Sequence, residues 1–198
     1  MEIDAFWVLI HDSLDTLDGV DGAASRAARE SYLHERLITL PPEEIAEFQS
    51  HLVNARQRAD SWDLWGAAAR INGGMCSDDG FEDFRNWLIG RGHDTFERVI
   101  AAPDSLAELP EIQRLAARPN EERGDEDRTD WESLSYIAER AYEQVTGKQD
   151  DDAFDEAVDE FDSVDFPDYL AEEQWRWTDK QASAAKLPNL TRLFPLAD

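Results

Sequence analysis

The large apolar side chains of this chain recur every three or four positions over most of its length. Ile3, Phe6, Trp7, Ile10, Leu14 and Leu17 open the pattern, and Gly19 marks its end. That spacing lines one face of a helix, whereas a half-buried strand needs a period of two. A second helix is expected from near Asp21 to about Thr39 through Ala24, Ala28, Tyr32, Leu33 and Leu37. Pro41-Pro42-Glu43-Glu44 opens a third, because proline fits the first turn and acids there complement the helix dipole. Its inner face is Ile45, Phe48, Leu52, Ala55 and Ala59. No stretch combines period-two alternation with a hairpin turn. The fold class that follows is all-α.

Ser61 to Asn72 stands apart. After a Ser61 cap come Trp62, Leu64, Trp65, Ala67, Ala68, Ala69 and Ile71, apolar nearly all round. Such a helix is expected at the centre of the fold, packed on several sides. Gly73-Gly74 stops it, since glycine accepts the left-handed backbone of a helix end. The next helix starts at Ser77-Asp78-Asp79 and carries Phe81, Phe84, Trp87, Leu88 and Ile89 before Gly90 and Gly92. Phe96, Val99 and Ile100 mark a short helix ending before Pro103, and a weaker pattern runs from Leu106 to Leu115. Asp130 is a suitable cap for a helix through Trp131, Leu134, Ile137, Ala141, Tyr142 and Val145, closed by Gly147. An acidic helix, Asp152 to Asp162, keeps an apolar edge of Phe154, Ala157, Val158 and Phe161. The organisation expected is one compact helical domain over 1–198. It comprises a main body 1–117, a charged loop 118–129, acidic helices 130–165, and an aromatic-rich tail 166–198 that docks back on the body.

Composition restricts the functions open to such a chain. Among 198 residues, 19 are Lys or Arg and 45 are Asp or Glu, a net charge of −26. A surface of that sign does not neutralise phosphates, so direct nucleic-acid binding and docking on an anionic membrane are excluded as expectations. Glu121 to Asp168 holds 19 of the acids and 4 bases, without the spacing of a calcium loop: Asp150-Asp151-Asp152 lacks the required glycine and glutamate. One cysteine, Cys76, leaves no internal disulfide or multi-cysteine zinc site, and no apolar run reaches membrane-spanning length. Met1-Glu2-Ile3-Asp4 is acidic where a signal peptide is basic, so a cytoplasmic location is expected.

Phe6-Trp7, Trp62-Asp63-Leu64-Trp65-Gly66-Ala67-Ala68, and Gly73-Gly74-Met75-Cys76-Ser77-Asp78-Asp79-Gly80-Phe81 with Phe84-Arg85 and Trp87-Leu88-Ile89 resemble the bacterial domain family of unknown function numbered 4240 (DUF4240). Pro103-Asp104-Ser105-Leu106 resembles the segment that follows in that family. The resemblance covers roughly the first 145 residues. It implies a stand-alone, mostly helical bacterial protein and carries no catalytic roles.

The residues themselves nominate one polar site. In Gly73 to Arg85, Ser77 or Asp78 can cap the following helix and Asp79 favours its dipole, so two carboxylates are left over for Arg85 or for a ligand. Asp63 interrupts the apolar helix, and a buried carboxylate there needs an Arg or a Trp N–H partner. Asp63, Ser77, Asp78, Asp79 and Arg85 therefore form the candidate ligand- or partner-binding set. Glu30/His34 and Glu47/His51 share helix faces but lack the Glu-x-x-His and His-Glu-x-x-His spacings of metal centres. No metal, cofactor or catalytic residue is expected. At a helix start the Cys76 thiol pKa can fall, although a small buried cysteine is the commoner case. The function read first is a non-enzymatic protein-interaction module whose acidic surface binds another protein, a basic one. Its rivals are an enzyme or ligand binder using a cleft at the five residues, and a DNA mimic. The oligomeric state is left open.

Overall fold

The computed structural model describes residues 1–15, 23–118, 122–124, 127–148, 151–161 and 175–195. Among them every regular element is a helix, and the fold is a compact all-α one. The elements are α1 (Ile3–Leu14), α2 (Ala23–Leu37), α3 (Pro42–Arg58), α4 (Trp62–Ile71), α5 (Asp78–Ile89), α6 (His93–Ala101), a 3-10 turn Pro103–Glu108, and α7 (Pro110–Ala116). A second 3-10 turn, Glu132–Tyr136, leads into α8 (Ile137–Thr146), followed by α9 (Asp151–Asp159), α10 (Lys180–Lys186) and α11 (Pro188–Leu193). Leu17, Gly19, Asp21 and the part of the tail before Trp175 lie outside the described residues.

The apolar periods converge as their spacing requires. Phe6 and Ile10 of α1, Leu33 and Leu37 of α2, and Ile45, Phe48 and Leu52 of α3 are fully buried. α3 packs against α8 and α9, and α2 against α1 and α8. On α9, Phe154 is buried against Tyr142, and Ala157 and Val158 cover the core edge.

α4 divides along its length. Leu64 and everything from Gly66 to Ile71 is buried, while Trp62, Asp63 and Trp65 in the first turn are half-buried. Ser61 caps it by accepting from the Leu64 amide at 3.2 Å. Beyond Asn72, Gly73 and Gly74 take φ of 80° and 100°, and the Gly74 amide donates to the Ala69 carbonyl at 2.7 Å. That left-handed exit aims the chain at α5, whose Ser77 cap accepts from Gly80 at 3.1 Å.

One helix begins later than its sequence signals. Asp130 does not cap α8. The Trp131 amide donates to the Asp83 carbonyl of α5 at 3.0 Å, and the 3-10 turn precedes α8 proper. A long-range backbone bond outcompetes the local cap, because it seats the Trp131 ring in the core.

Candidate functional site

The five residues nominated from the sequence occupy different surroundings. Among the described residues, no hydrogen bond or ion pair joins any two of them. Ser77 is the α5 cap. Asp78 and Asp79, in the first turn of α5, are exposed. Arg85, two turns on, faces the interior: its guanidinium lies 4.7 Å from the Phe81 ring centre, donates to the Arg56 carbonyl at 3.1 Å, and pairs with Asp60 at 3.5 Å. The expected pairing of Arg85 with the Asp78–Asp79 run is not formed. The position six residues after Asp79 lies off the exposed face, and Asp60 at the end of α3 is nearer.

Asp63 meets a different group. Its Oδ1 accepts the indole Nε1–H of Trp175 at 2.8 Å and lies 2.7 Å from the Lys186 ammonium. The expected Trp N–H partner is present, supplied by the tail. The Trp175 ring packs closely against α4 at Gly66, where a Cβ would sit 2.5 Å from its Cζ2 atom. Trp62, Trp65 and Phe81 form a stack, with centroids 5.5 and 4.7 Å apart, and Trp177 stacks on Trp65 at 6.0 Å. Arg70, only 3% exposed, donates to the Trp177 carbonyl at 3.0 Å. Asp104 of the first 3-10 turn accepts from the Asn189 and Leu190 amides, at 3.0 and 2.9 Å, and so seats the start of α11.

Cys76 is half-buried at the foot of this stack, its carbonyl taking the Trp65 indole N–H at 3.1 Å. Burial pushes its thiol up to about 11. The lowering expected at a helix start is outweighed by desolvation, so the thiolate is scarce at neutral pH.

Sequence reading overlooked an acidic patch and a buried clasp. Asp83 on α5 is raised to about 6 by burial first, then by Glu132, Asp130, Glu82 and Asp79. Glu82 is engaged by Arg56, which also donates to Ser135 at 3.2 Å. The clasp is centred on Arg29 of α2, fully buried. It donates to Ser13 at 3.1 Å and to the Gly90 carbonyl at 2.8 Å, and stacks 4.2 Å from the Trp131 ring centre. Glu30 accepts from Trp131 and Ser133 instead of facing His34. His51 turns to the Met1 carbonyl at 2.9 Å. Among the described residues, no three His, Cys, Asp or Glu side chains are placed to hold a metal ion.

An open cavity of about 440 Å³ lies apart from all of this, between α1 and the start of α6, lined by Trp7, His11, Arg91 and His93 among others. No helix among the described residues is long and apolar enough to cross a membrane.

Residues 1–144 match the family described as "Protein of unknown function (DUF4240)". The match spans more than half of the chain and takes in α1 to α7 and most of α8, and the chain belongs to that family. No curated protein and no solved structure matches it. The tail carrying Trp175 and Lys186 lies beyond the matched residues.

Proposed function

We propose that the chain is a non-enzymatic protein-interaction module whose acidic surface takes a basic partner. One intramolecular observation carries this reading. Residues 175–195 hold Arg176, Lys180, Lys186 and Arg192 against a single acid, Asp179, within a chain of net charge −26. That basic segment sits on the body with Lys186 2.7 Å from Asp63. The exposed Asp78 and Asp79, with Glu132 nearby, offer a second face of the same sign. The separate engagement of Asp63, Ser77 and Arg85 supports the same reading, because a shared cleft needs their side chains to converge. It takes the protein as cytoplasmic, in keeping with its single cysteine.

The test is capture of partners by the immobilised full chain at about 0.1 and about 1 M salt, where the screening length falls from roughly 10 to roughly 3 Å. The expected result is a partner lost at the higher salt and lost by Asp78→Asn/Asp79→Asn/Asp83→Asn. Partners that persist at high salt and on the triple variant contradict the reading.

A further inference from the structure

The seat that holds Trp175 belongs to the matched family region, and its occupant does not. Glycine weakens a helix interior, and Gly66 stands in the middle of α4. Its gain is the close approach of the indole, which any side chain would block. Asp63, one turn earlier, reads the indole N–H. Trp65 faces the second indole and Arg70 takes the carbonyl between them and Thr178. The α4 face thus matches a Trp-x-Trp segment point by point.

The resident segment fills this seat incompletely. Among the described residues, Arg70 Nε and Nη1 are buried without a hydrogen-bond partner, although burying a guanidinium is costly. Trp175 and Trp177 stay half-buried. The Lys186–Asp63 pair is solvent-facing, where ion pairs contribute little. From Trp175 to Lys186 the segment is held in this way, unlike the core residues Leu187, Leu190 and Phe194 that follow it, and such a stretch opens locally while the core stays folded.

We propose that α4 is a docking groove for a basic segment carrying Trp-x-Trp, and that residues 175–186 occupy it in cis as an exchangeable cover. This deepens the interaction-module reading and rests on it for the basic character of the partner. Charge complementarity and the indole-sized seat together select the occupant.

The test titrates a fluorescein-labelled peptide of residues 175–186 into the full chain and into its full-length Trp175→Ala/Trp177→Ala variant, read by anisotropy. The emptied variant should bind at least about tenfold more tightly, because a cis occupant leaves only the open fraction competent. Adding Gly66→Leu should abolish that binding, as should replacing both tryptophans of the peptide by alanine. Equal affinity for the two chains, binding that survives Gly66→Leu, or equal binding of the alanine peptide overturns the proposal. If the double variant loses helicity by circular dichroism, Trp175→Phe, which keeps a ring but loses the N–H, takes its place. It should still bind more tightly than the unaltered chain, and no gain overturns the groove. Gly66→Leu should leave the salt-sensitive capture intact, so failure of the groove and failure of the acidic-face reading give different results.

Discussion

Trp131 and Trp175 are held by the same three parts at two depths. Against each ring lies a glycine whose Cβ would collide with it, at 2.7 Å for Gly90 at the end of α5 and 2.5 Å for Gly66 within α4. Each indole N–H goes to a carboxylate, Glu30 at 3.1 Å and Asp63 at 2.8 Å. A cation covers each ring, Arg29 at 4.2 Å and Lys186 at 5.7 Å. The surroundings differ: Arg29 is fully buried and Trp131 is 2% exposed, whereas the Lys186 side chain is 39% exposed. Charges buried in a low dielectric interact strongly and cannot be removed singly without leaving polar groups unsatisfied, whereas exposed ones are screened. The first clasp locks α1, α2, α5 and the turn before α8 together. The second closes a cover over α4.

The comparison breaks most readily at the rings. Trp131→Ala should cost about 3–5 kcal/mol, the usual range for a large core aromatic. Trp175→Ala should cost less than about 1.5 kcal/mol, because its ring is only half-buried. Equal losses in urea denaturation would make the two clasps one kind of structure. The cations come next. Arg29→Ala strips the Gly90 carbonyl of its buried donor and should cost about 2–3 kcal/mol, while Lys186→Ala should stay within about 1 kcal/mol.

Asp83 sharpens the picture at the junction of α5 with Trp131. Its folded pKa near 6 stands above the ordinary 3.8, so the folded state holds the proton more tightly. Its contribution is therefore complete below about pH 4 and is lost as pH rises through 6. Asp83→Asn should stabilise the protein at pH 7–8 by about 1 kcal/mol, after allowance for solvent screening, and should flatten the stability profile between pH 4 and 7. A variant less stable than the parent at pH 8 would contradict this. Smallest of all, Ser77→Asn should move stability by less than about 0.5 kcal/mol, since asparagine caps about as well as serine. A larger loss in thermal denaturation would give Ser77 a second role.

Where helices start, stop and face was legible wherever the signal is local. The Ser61 and Ser77 caps, the Gly73-Gly74 exit and the inner faces of α1 and α3 follow from neighbouring residues alone. What escaped was set by partners distant in the chain. Arg29 sits between Ala28 and Glu30 and reads as a solvated position until Trp131 and Gly90 enclose it. Arg85 was grouped with Asp79 because they are near in sequence, whereas Asp60 reaches it across the fold. Asp130 resembles a cap until the Trp131 amide is drawn to α5. Gly66 was the missed clue, because a glycine inside an apolar helix signals a close approach, although only the fold reveals that Trp175 makes it.

Indole N–H hydrogen exchange, followed by NMR on the unaltered full chain at increasing sub-denaturing urea, compares the two clasps directly. The account predicts that Trp175 Nε1–H exchanges through a local opening whose rate barely changes with urea, while Trp131 Nε1–H exchanges only through global unfolding, with the full urea dependence. Matching rates and matching urea dependence for the two indoles would contradict it.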